Sequence, residues 1–594
     1  MTVDVLAPSA VMLAKPCLFN VGRILFAICS GHRVYLLDTN TRKPYERVLF
    51  PGMAGVRRFL LRFESVRDAN ELDERLVQTR DYRAVLLLAD IFGQIEEWQN
   101  KYFGFSRIDS DLPAFAQCYR ATICSEMEHR QFEMFAAECM VRRHPDARLA
   151  FSGIDQSTRG AISALEALND ARLPRVVLRF AALTNRIRNT FAWVILMAVH
   201  FTRLARLVRP IIPAPKDCFM MADYIGDEDD NKFYEAAREF GPVILVPRTP
   251  TIELRRLPAG IPPVLRHRRD GVIPVSQLWT VMLRCLRDCF SVYRYLGSLE
   301  LQQFAMALSW TFKLAEFEAF FRLGRPKVFF ARDCYNPDHI LRHQVLTGFG
   351  AIHIGMNVGY PCYSILFPTT RYISFDWFFV YGTALYQKHY AETWPAEMEL
   401  IPIGPFRIDK ARFTEARRDA GNGDIAIFTG PFVHEPAMVG FVRELALSLP
   451  DRKILLQVKN FFRDLKSGRD YVRDCTDGLP NIIPVSDDVY DILKQVTYSV
   501  TDPSSIVVEA MSLGRISFLA DVSSWQRSCY FRDFNDILVR SGGEAARKIR
   551  ALEEGTESYP WQKFESVAYL SDDYFMNSVR GRFKQIDAAE SMAN

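Results

Sequence analysis

The stretch TDPSSIVVEAMSLGR, residues 501–515, decides how the chain is to be read. A short apolar run, YSVT at 498–501, leads into it, Asp502-Pro503 makes a turn, and two serines precede IVVEAMSLG, which carries helical spacing to a glycine at 514. Serine caps helices because its hydroxyl accepts from a free backbone N–H of the first turn. Glycine stops them because it adopts the left-handed backbone at no steric cost. A strand that hands over to a helix through a small-residue turn is the repeating unit of a parallel α/β sheet. Its turn directs backbone N–H groups at whatever anion arrives. On this reading Ser504 and Ser505 would hold a phosphate or diphosphate, with Glu509 reaching a ribose hydroxyl. The plainer reading is an ordinary cap, with Glu509 only favouring the first turn. Spacing leaves both open.

Working outward, the same strand-then-helix rhythm fills the chain from 217 onward. CFMMA, PVILVP, KVFFA, AIHIG and WFFVYG are followed by DIAIFTG, KILLQV, NIIPV, YSVT and ISFLA. Continuous apolar runs of this length are the signature of strands buried on both faces, so a doubly wound α/β fold is expected. The rhythm restarts near 424, after a charged, glycine-bearing connection at 411–423. Two Rossmann-like domains facing a cleft are therefore expected, an acceptor-side domain at 217–410 and a donor nucleotide-binding domain with C-terminal helices at 411–594. In open sheets of this kind ligands bind beyond the carboxyl ends of the strands.

Ahead of these lies a small additional α/β domain of unknown role, residues 1–170, with apolar runs such as HRVYLLD and a helical stretch at 114–143. Between them, 171–216 has eight arginines, one lysine and no acid, and closes on the proline-rich RPIIPAP.

Length and composition narrow the function. At 594 residues, two or three domains are expected. With 74 Lys+Arg against 70 Asp+Glu, the net charge of +4 argues against a protein that coats nucleic acid. The 12 cysteines include no Cys-x-x-Cys pair, and Cys285 and Cys289 lack nearby histidines, so reduced thiols and no zinc site are expected. The N-terminus carries an acid where a signal peptide has basic residues, and no apolar run approaches the roughly 18 residues of a spanning helix. A cytoplasmic protein is the expectation.

The runs FFVYGTALYQKHYAETWPAEMELIPIGPFRID and GLPNIIPVSDDVYDILKQVTYSVTDPSSIVVEAMSLGRISFLA resemble the second half of GT-B glycosyltransferases that build bacterial surface carbohydrates. They are similar to the capsule polysaccharide and CDP-glycerol glycerophosphotransferase-like groups. The shared pattern falls on Tyr381-Gly382, on GPFRID at 404–409, and on Ser504, Ser505, Glu509 and Gly514. It implies that the opening stretch binds the nucleotide-linked phosphate of an activated sugar, with no cofactor and no metal. Charge grows on that phosphate as the glycosidic bond breaks, and preorganised N–H donors stabilise it. The turn after DIAIFTG could bring Thr429, Gly430 and His434 to the same phosphate, and Lys459 could add positive charge; an ordinary loop histidine and a solvated lysine are the alternatives.

For the acceptor, PKVFFARDCYNPDHILRHQ at 326–344 should place Asp333 at a strand tip as general base, as the resemblance also implies, unless it only caps the helix or pairs with Arg332. His339 and Asp223 are the further catalytic candidates, the latter beside an acidic run, 227–230, read mainly as a solvated helix start. The chain departs from its relatives at HIGMNVGYP, 353–361, where Asn357 stands in place of a histidine.

The basic segment suggests a helix lying on the anionic inner face of the cell membrane. Trp193, Ile195 and Leu196 would enter lipid, while Arg186, Arg188, Arg203, Arg206 and Arg209 meet phosphates; packing on another domain is the alternative. The expected function is glycosyl transfer from a nucleotide sugar to a surface-polysaccharide or lipid-linked glycan acceptor, by a peripheral membrane protein with no nucleic-acid partner. A non-catalytic assembly factor, a nucleotide-sugar epimerase and a glycerophosphotransferase are the alternatives.

Overall fold

A computed structural model describes residues 10–16, 20–37, 53–72, 114–118, 121, 133, 136–137, 139–141, 143–145, 147–154, 175–211, 216–224, 230–247, 261, 271–298, 301–332, 337–356, 372–391, 394–408, 423–429, 435–459, 463, 466–502, 504–522, 535–568 and 574–593. The chain divides into two compact units, Met1–Ala205 with Trp279–Phe312, and Arg206–Leu278 with Lys313–Asn594. Helices that the sequence reading left inside the acceptor-side domain thus fold with the N-terminal residues.

In the first unit, β1 (Val11–Ala14), α1 (Val21–Cys29), β2 (Arg33–Leu36), α2 (Met53–Leu60), β3 (Val66–Asp68) and β4 (Leu149–Ser152) build a four-stranded parallel sheet ordered β3-β2-β1-β4. Met12, Ala14, Val34 and Leu36 pack with Ile24, Ala27 and Leu60 as its core. A 31-residue helix, α3 (Arg175–Ala205), follows.

The second unit begins with β5 (Val208–Arg209), β6 (Lys216–Tyr224), α4 (Asn231–Arg238), β7 (Val243–Pro247) and β8 (Ile273–Pro274). The chain then returns to the first unit for α5 (Leu278–Leu296) and the first half of α6 (Leu301–Leu323), and the second unit resumes with β9 (Gly324–Ala331), α7 (Asp338–Gly348), β10 (Ile352–Met356), β11 (Trp377–Val380), α8 (Ala384–Tyr390) and β12 (Glu399–Pro402). Six of these strands make a parallel sheet ordered β12-β11-β10-β9-β6-β7.

The last stretch alternates β13 (Ile425–Thr429), α9 (Glu435–Ser448), β14 (Ile454–Val458), α10 (Lys466–Thr476), β15 (Ile482–Val485), α11 (Val489–Gln495), β16 (Tyr498–Thr501), α12 (Ile506–Ser512), β17 (Ile516–Ala520) and β18 (Leu538–Val539). These strands form a second six-stranded parallel sheet, β15-β14-β13-β16-β17-β18. Helices α13 (Gly542–Glu553), α14 (Trp561–Ala568) and α15 (Tyr574–Ala593) close the chain.

Read in chain order within each sheet, the second has the 3-2-1-4-5-6 order of the dinucleotide-binding fold and the first the 2-1-3-4-5 order of the flavodoxin kind with one more strand. The mixed α/β architecture with two doubly wound sheets is the one expected. Every residue of β13 and β16 is buried, which is why these strands read as unbroken apolar runs. The predicted stop of α12 is present: Gly514 has φ 73°, and the Arg515 N–H donates to Ala510 O at 2.9 Å. Gly542 serves a different need, since a Cβ there would lie 2.2 Å from Phe441 O, so only glycine lets α13 approach α9 this closely.

Candidate functional site

A doubly wound sheet has one place where the strand order reverses, and the loops on either side of it part to leave a crevice. In the second sheet that place lies between β13 and β16, so the crevice is bounded by Thr429 at the tip of one strand and by Thr501 and Asp502 at the tip of the other. In the first sheet it lies between β6 and β9, whose tips carry Asp223 and Arg332. The residue types singled out in the sequence fall at these two points because buried strands end where their apolar runs end, and the polar residues that follow are the first able to meet a ligand.

The donor-side residues differ in how free they are. Ser504 and Ser505 are half-buried at the start of α12. Ser504 Oγ accepts from the Ile506 N–H at 3.4 Å, while Ser505, at the cap position, makes no side-chain capping bond. The helix is only 7 residues long, so the hydroxyls and the turn, more than a helix dipole, are what this tip offers an anion. Thr429 is 2% exposed and its Oγ1 is hydrogen-bonded to Tyr471 OH at 3.1 Å, which ties its side chain to α10 instead of to the crevice. Burial pushes the Tyr471 phenol well above its usual range, so the hydroxyl keeps its proton. Lys459 follows β14 with its side chain exposed, and its N–H donates to Thr429 O at 3.0 Å. Gly430 and His434 lie outside the described residues.

Glu509 is placed differently from the expectation. It is 4% exposed, and its two carboxylate oxygens each accept a hydrogen bond from a tyrosine. Tyr490 OH, on α11 of the same sheet, donates at 2.9 Å, and Tyr381 OH, just past β11 of the other sheet, donates at 3.3 Å. Burial, then the Glu509 charge, raises the Tyr381 phenol well above its ordinary pKa, so it remains a donor. Glu509 thus joins the two sheets of this unit, and its two tyrosine bonds use only half of the roughly four lone-pair sites of a carboxylate. The GPFRID element supports the same seam: the Gly404 N–H donates to Tyr381 O at 3.1 Å, and Lys232 Nζ donates to Phe406 O at 3.0 Å.

On the acceptor side, Asp333 lies outside the described residues, as does Asn357. Its neighbour Arg332 is 3% exposed and pairs with Asp230 at 2.7 Å, with its guanidinium over the Phe406 ring. Asp223 is 9% exposed, and Arg342 Nη1 stands 3.8 Å from its carboxylate. His339, a catalytic candidate, is a core residue: it is buried and its ring stacks on Phe375 at 4.9 Å with a 2° interplanar angle. His353 lies against the same phenylalanine at 4.5 Å, and His343 is 5.7 Å from His353. Among the described residues no group of three or more His, Cys, Asp or Glu could hold a metal ion. Cys285 and Cys289 are buried, the latter against Thr311 Oγ1 at 3.1 Å, and burial pushes the Cys289 thiol up to about 12.

In the basic segment, Arg186, Arg188, Arg203, Arg206 and Arg209 are exposed. Trp193, expected on the lipid side, instead turns toward α5: its Nε1–H donates to Cys289 O at 3.4 Å and its ring sits 6.2 Å from Tyr293. An indole N–H seeks a partner when half-buried, and a carbonyl of the neighbouring helix provides it. Among the described residues no helix is long and apolar enough to cross a membrane.

Sequence reasoning missed Tyr490 and Arg342, and it read Asp230 as part of a solvated helix start, whereas Asp230 is 1% exposed and paired with Arg332. Each acts through a partner far along the chain, and no local pattern marks it.

No protein-family model matches the chain, and no curated protein matches it. Among solved structures it is similar to a UDP-GlcNAc 2-epimerase from Neisseria meningitidis bound to UDP-GlcNAc, at 11% identity over 63% of this chain and 99% of that one, with a TM-score of 0.36. It is similar to the wall teichoic acid polymerase TagF at 12% identity, over 69% of this chain and 99% of that one, with a TM-score of 0.36. A third is an α,α-trehalose 6-phosphate synthase from Burkholderia multivorans, at 10% identity over 64% and 98%, TM-score 0.36. These structure neighbours are GT-B-fold, glycosyltransferase-like enzymes.

Proposed function

We propose that the chain is a glycosyltransferase that moves a sugar from a nucleotide-activated donor to a surface-polysaccharide or lipid-linked glycan acceptor. One observation supports the reading: Ser504 and Ser505 follow β16 at the reversal point of the second sheet, Asp223 lies at that of the first, and Glu509 links the two sheets. The acceptor hydroxyl oxygen attacks the anomeric carbon, the bond from that carbon to the nucleotide phosphate breaks, and the hydroxyl proton passes to a carboxylate, for which Asp333 is the candidate. The departing phosphate takes the electron pair, and Ser504, Ser505, the turn N–H groups and Lys459 stabilise its charge, so the reaction as drawn needs no metal. Glu509 takes a ribose hydroxyl on a lone pair that its two tyrosine bonds do not use.

A second reading is a binding module that keeps the fold without turnover. It is favoured by the acceptor-side tips, where Arg332 with Asp230 and Asp223 with Arg342 are already paired. Calorimetry of the full chain against uridine, cytidine, guanosine and adenosine diphosphates tests the donor site. One diphosphate should bind, and Ser504→Ala with Ser505→Ala should abolish that binding while the melting temperature changes little, because only Ser504 caps. Undiminished affinity in the folded double variant would remove the donor assignment. Binding without any turnover of nucleotide sugars would leave the second reading in place.

A further inference from the structure

We propose that the crevice between β6 and β9 takes an uncharged sugar, and that the Tyr234 hydroxyl is a donor that holds it. The inference rests on the acceptor-side reading of that crevice and names the class of acceptor it admits.

Tyr234 lies near the start of α4 and is 0% exposed. Its ring stands edge-on to Tyr224 of β6 at 6.3 Å and to Phe330 of β9 at 6.4 Å, the two strands between which the first sheet reverses. The hydroxyl on that ring is buried and has no hydrogen-bond partner among the described residues. Other buried phenols of this unit are satisfied: Tyr381 and Tyr490 donate to Glu509, and Tyr471 is bonded to Thr429. A hydroxyl taken out of water without a partner costs stability, so native folds rarely keep one unless a water or a ligand completes it. Packing does not require it here. The neighbouring Phe233, also 0% exposed, stacks on the same Phe330 at 4.8 Å with no hydroxyl at all.

The surroundings define the ligand. Asp230 with Arg332 at 2.7 Å and Asp223 with Arg342 at 3.8 Å put two carboxylates and two cations around the reversal point, with no net charge. Burial, then the Asp230 charge, raises the Tyr234 phenol well above its ordinary pKa against the pull of Arg332, and Asp223 and Tyr224 add to the rise. The phenol is therefore a neutral donor set among charges that already balance. A phosphate or carboxylate brought here would have to share its cation with an aspartate. A sugar hydroxyl meets no such competition, because it can accept from a phenol and donate its own proton to a carboxylate. Asp223 is the most exposed of these side chains, at 9%, so a ligand entering from solvent reaches it first. Neighbouring hydroxyls of one sugar ring can then meet both groups, one donating to Asp223 and the next accepting from Tyr234.

The test is Tyr234→Phe in the full chain, which keeps the ring and removes the oxygen. Saturation-transfer NMR uses methyl glycosides of neutral hexoses and of the matching hexuronic acids as probes. Saturation is expected on the neutral glycosides, and titration of the variant should show their Kd raised about tenfold, the effect of one lost hydrogen bond. The melting temperature should hold or rise, because the fold itself loses no bond, and calorimetric affinity for a nucleoside diphosphate should be unchanged. An unchanged Kd for the neutral glycosides, or a melting temperature that falls by several degrees, would overturn the role of Tyr234. Hexuronic acid glycosides that bind as well as the neutral ones would overturn the uncharged class. If no glycoside binds while a nucleoside diphosphate still does, this inference fails and the donor reading survives; if neither binds, both fail.

Discussion

The two sheets of the second unit each have six parallel strands with one reversal of order, yet they furnish that reversal differently. At the first sheet the polar groups are long and charged and stand in ion pairs: Arg332 holds Asp230 at 2.7 Å with both side chains buried, and Arg342 Nη1 stands 3.8 Å from the Asp223 carboxylate. At the second the tip offers short hydroxyls and a turn, with Ser505 making no cap bond. The first arrangement fixes a shape before a ligand arrives, and the second leaves donors for an anion that is still to come. A pair of charges that neutralise each other is poor at attracting a third, so the first crevice should select by contour and the second by charge.

The largest test of this contrast is Asp333→Asn. If the first crevice contributes a base, turnover of the nucleotide sugar identified by calorimetry should fall roughly two to four orders of magnitude with nucleotide affinity nearly unchanged. Near-normal turnover would leave the first sheet with shape alone. Asp230→Asn asks whether the buried pair is structural. It takes a carboxylate from the buried Arg332 guanidinium, and urea denaturation should show a loss of about 1.5–3 kcal/mol. A loss near zero would mean water reaches the pair and the two crevices are more alike than drawn.

Tyr381→Phe sharpens the link between the sheets. Removing one hydrogen bond to a carboxylate should cost about 1.5–3 kcal/mol of stability. Nucleotide affinity should fall, because the carboxylate that receives the ribose hydroxyl loses one of the two bonds that orient it. Unchanged affinity in calorimetry would mean that Glu509 does not receive the ribose.

The smallest effect is one of pH. His353 is held far below its ordinary pKa by burial, then by Arg342, His343 and His339; His343 is lowered by burial against the opposing pull of Asp376 and Glu397. Both rings take up a proton less readily in the fold than in the unfolded chain, which does so near pH 6.5, so their contribution is present above that pH and is lost as pH falls below it. The second sheet has no histidine among its described residues. Hydrogen exchange at pH 7 and pH 5.5 should therefore show protection fading in peptides of β9, α7 and β10 before those of β13 and β16, and uniform fading would sink the idea.

Much of this fold was legible because a parallel strand buried on both faces must be apolar throughout, as IAIFT and YSVT are, and because Gly514 marks a stop that only a left-handed residue makes easily. The crevice tips were legible for the same reason. What could not be read was pairing at a distance. Tyr381 and Glu509 are 128 residues apart and Arg332 and Asp230 are 102 apart, and no local pattern joins them. Trp193 failed differently: the basic segment was read as a single helix meeting lipid by itself, and the helix that takes its indole N–H lies almost a hundred residues on.

The interrupted first unit also has a consequence for synthesis. Residues up to Ala205 are completed only by Trp279–Phe312, so α3 leaves the ribosome with nothing to cover the face that later meets α5 until a further stretch, 206–278, has been made. At roughly 5–20 residues per second that wait lasts on the order of several seconds. During it, an acid-free helix keeps open to solvent a face that the finished unit covers, so the nascent chain exposes apolar surface that the finished protein does not.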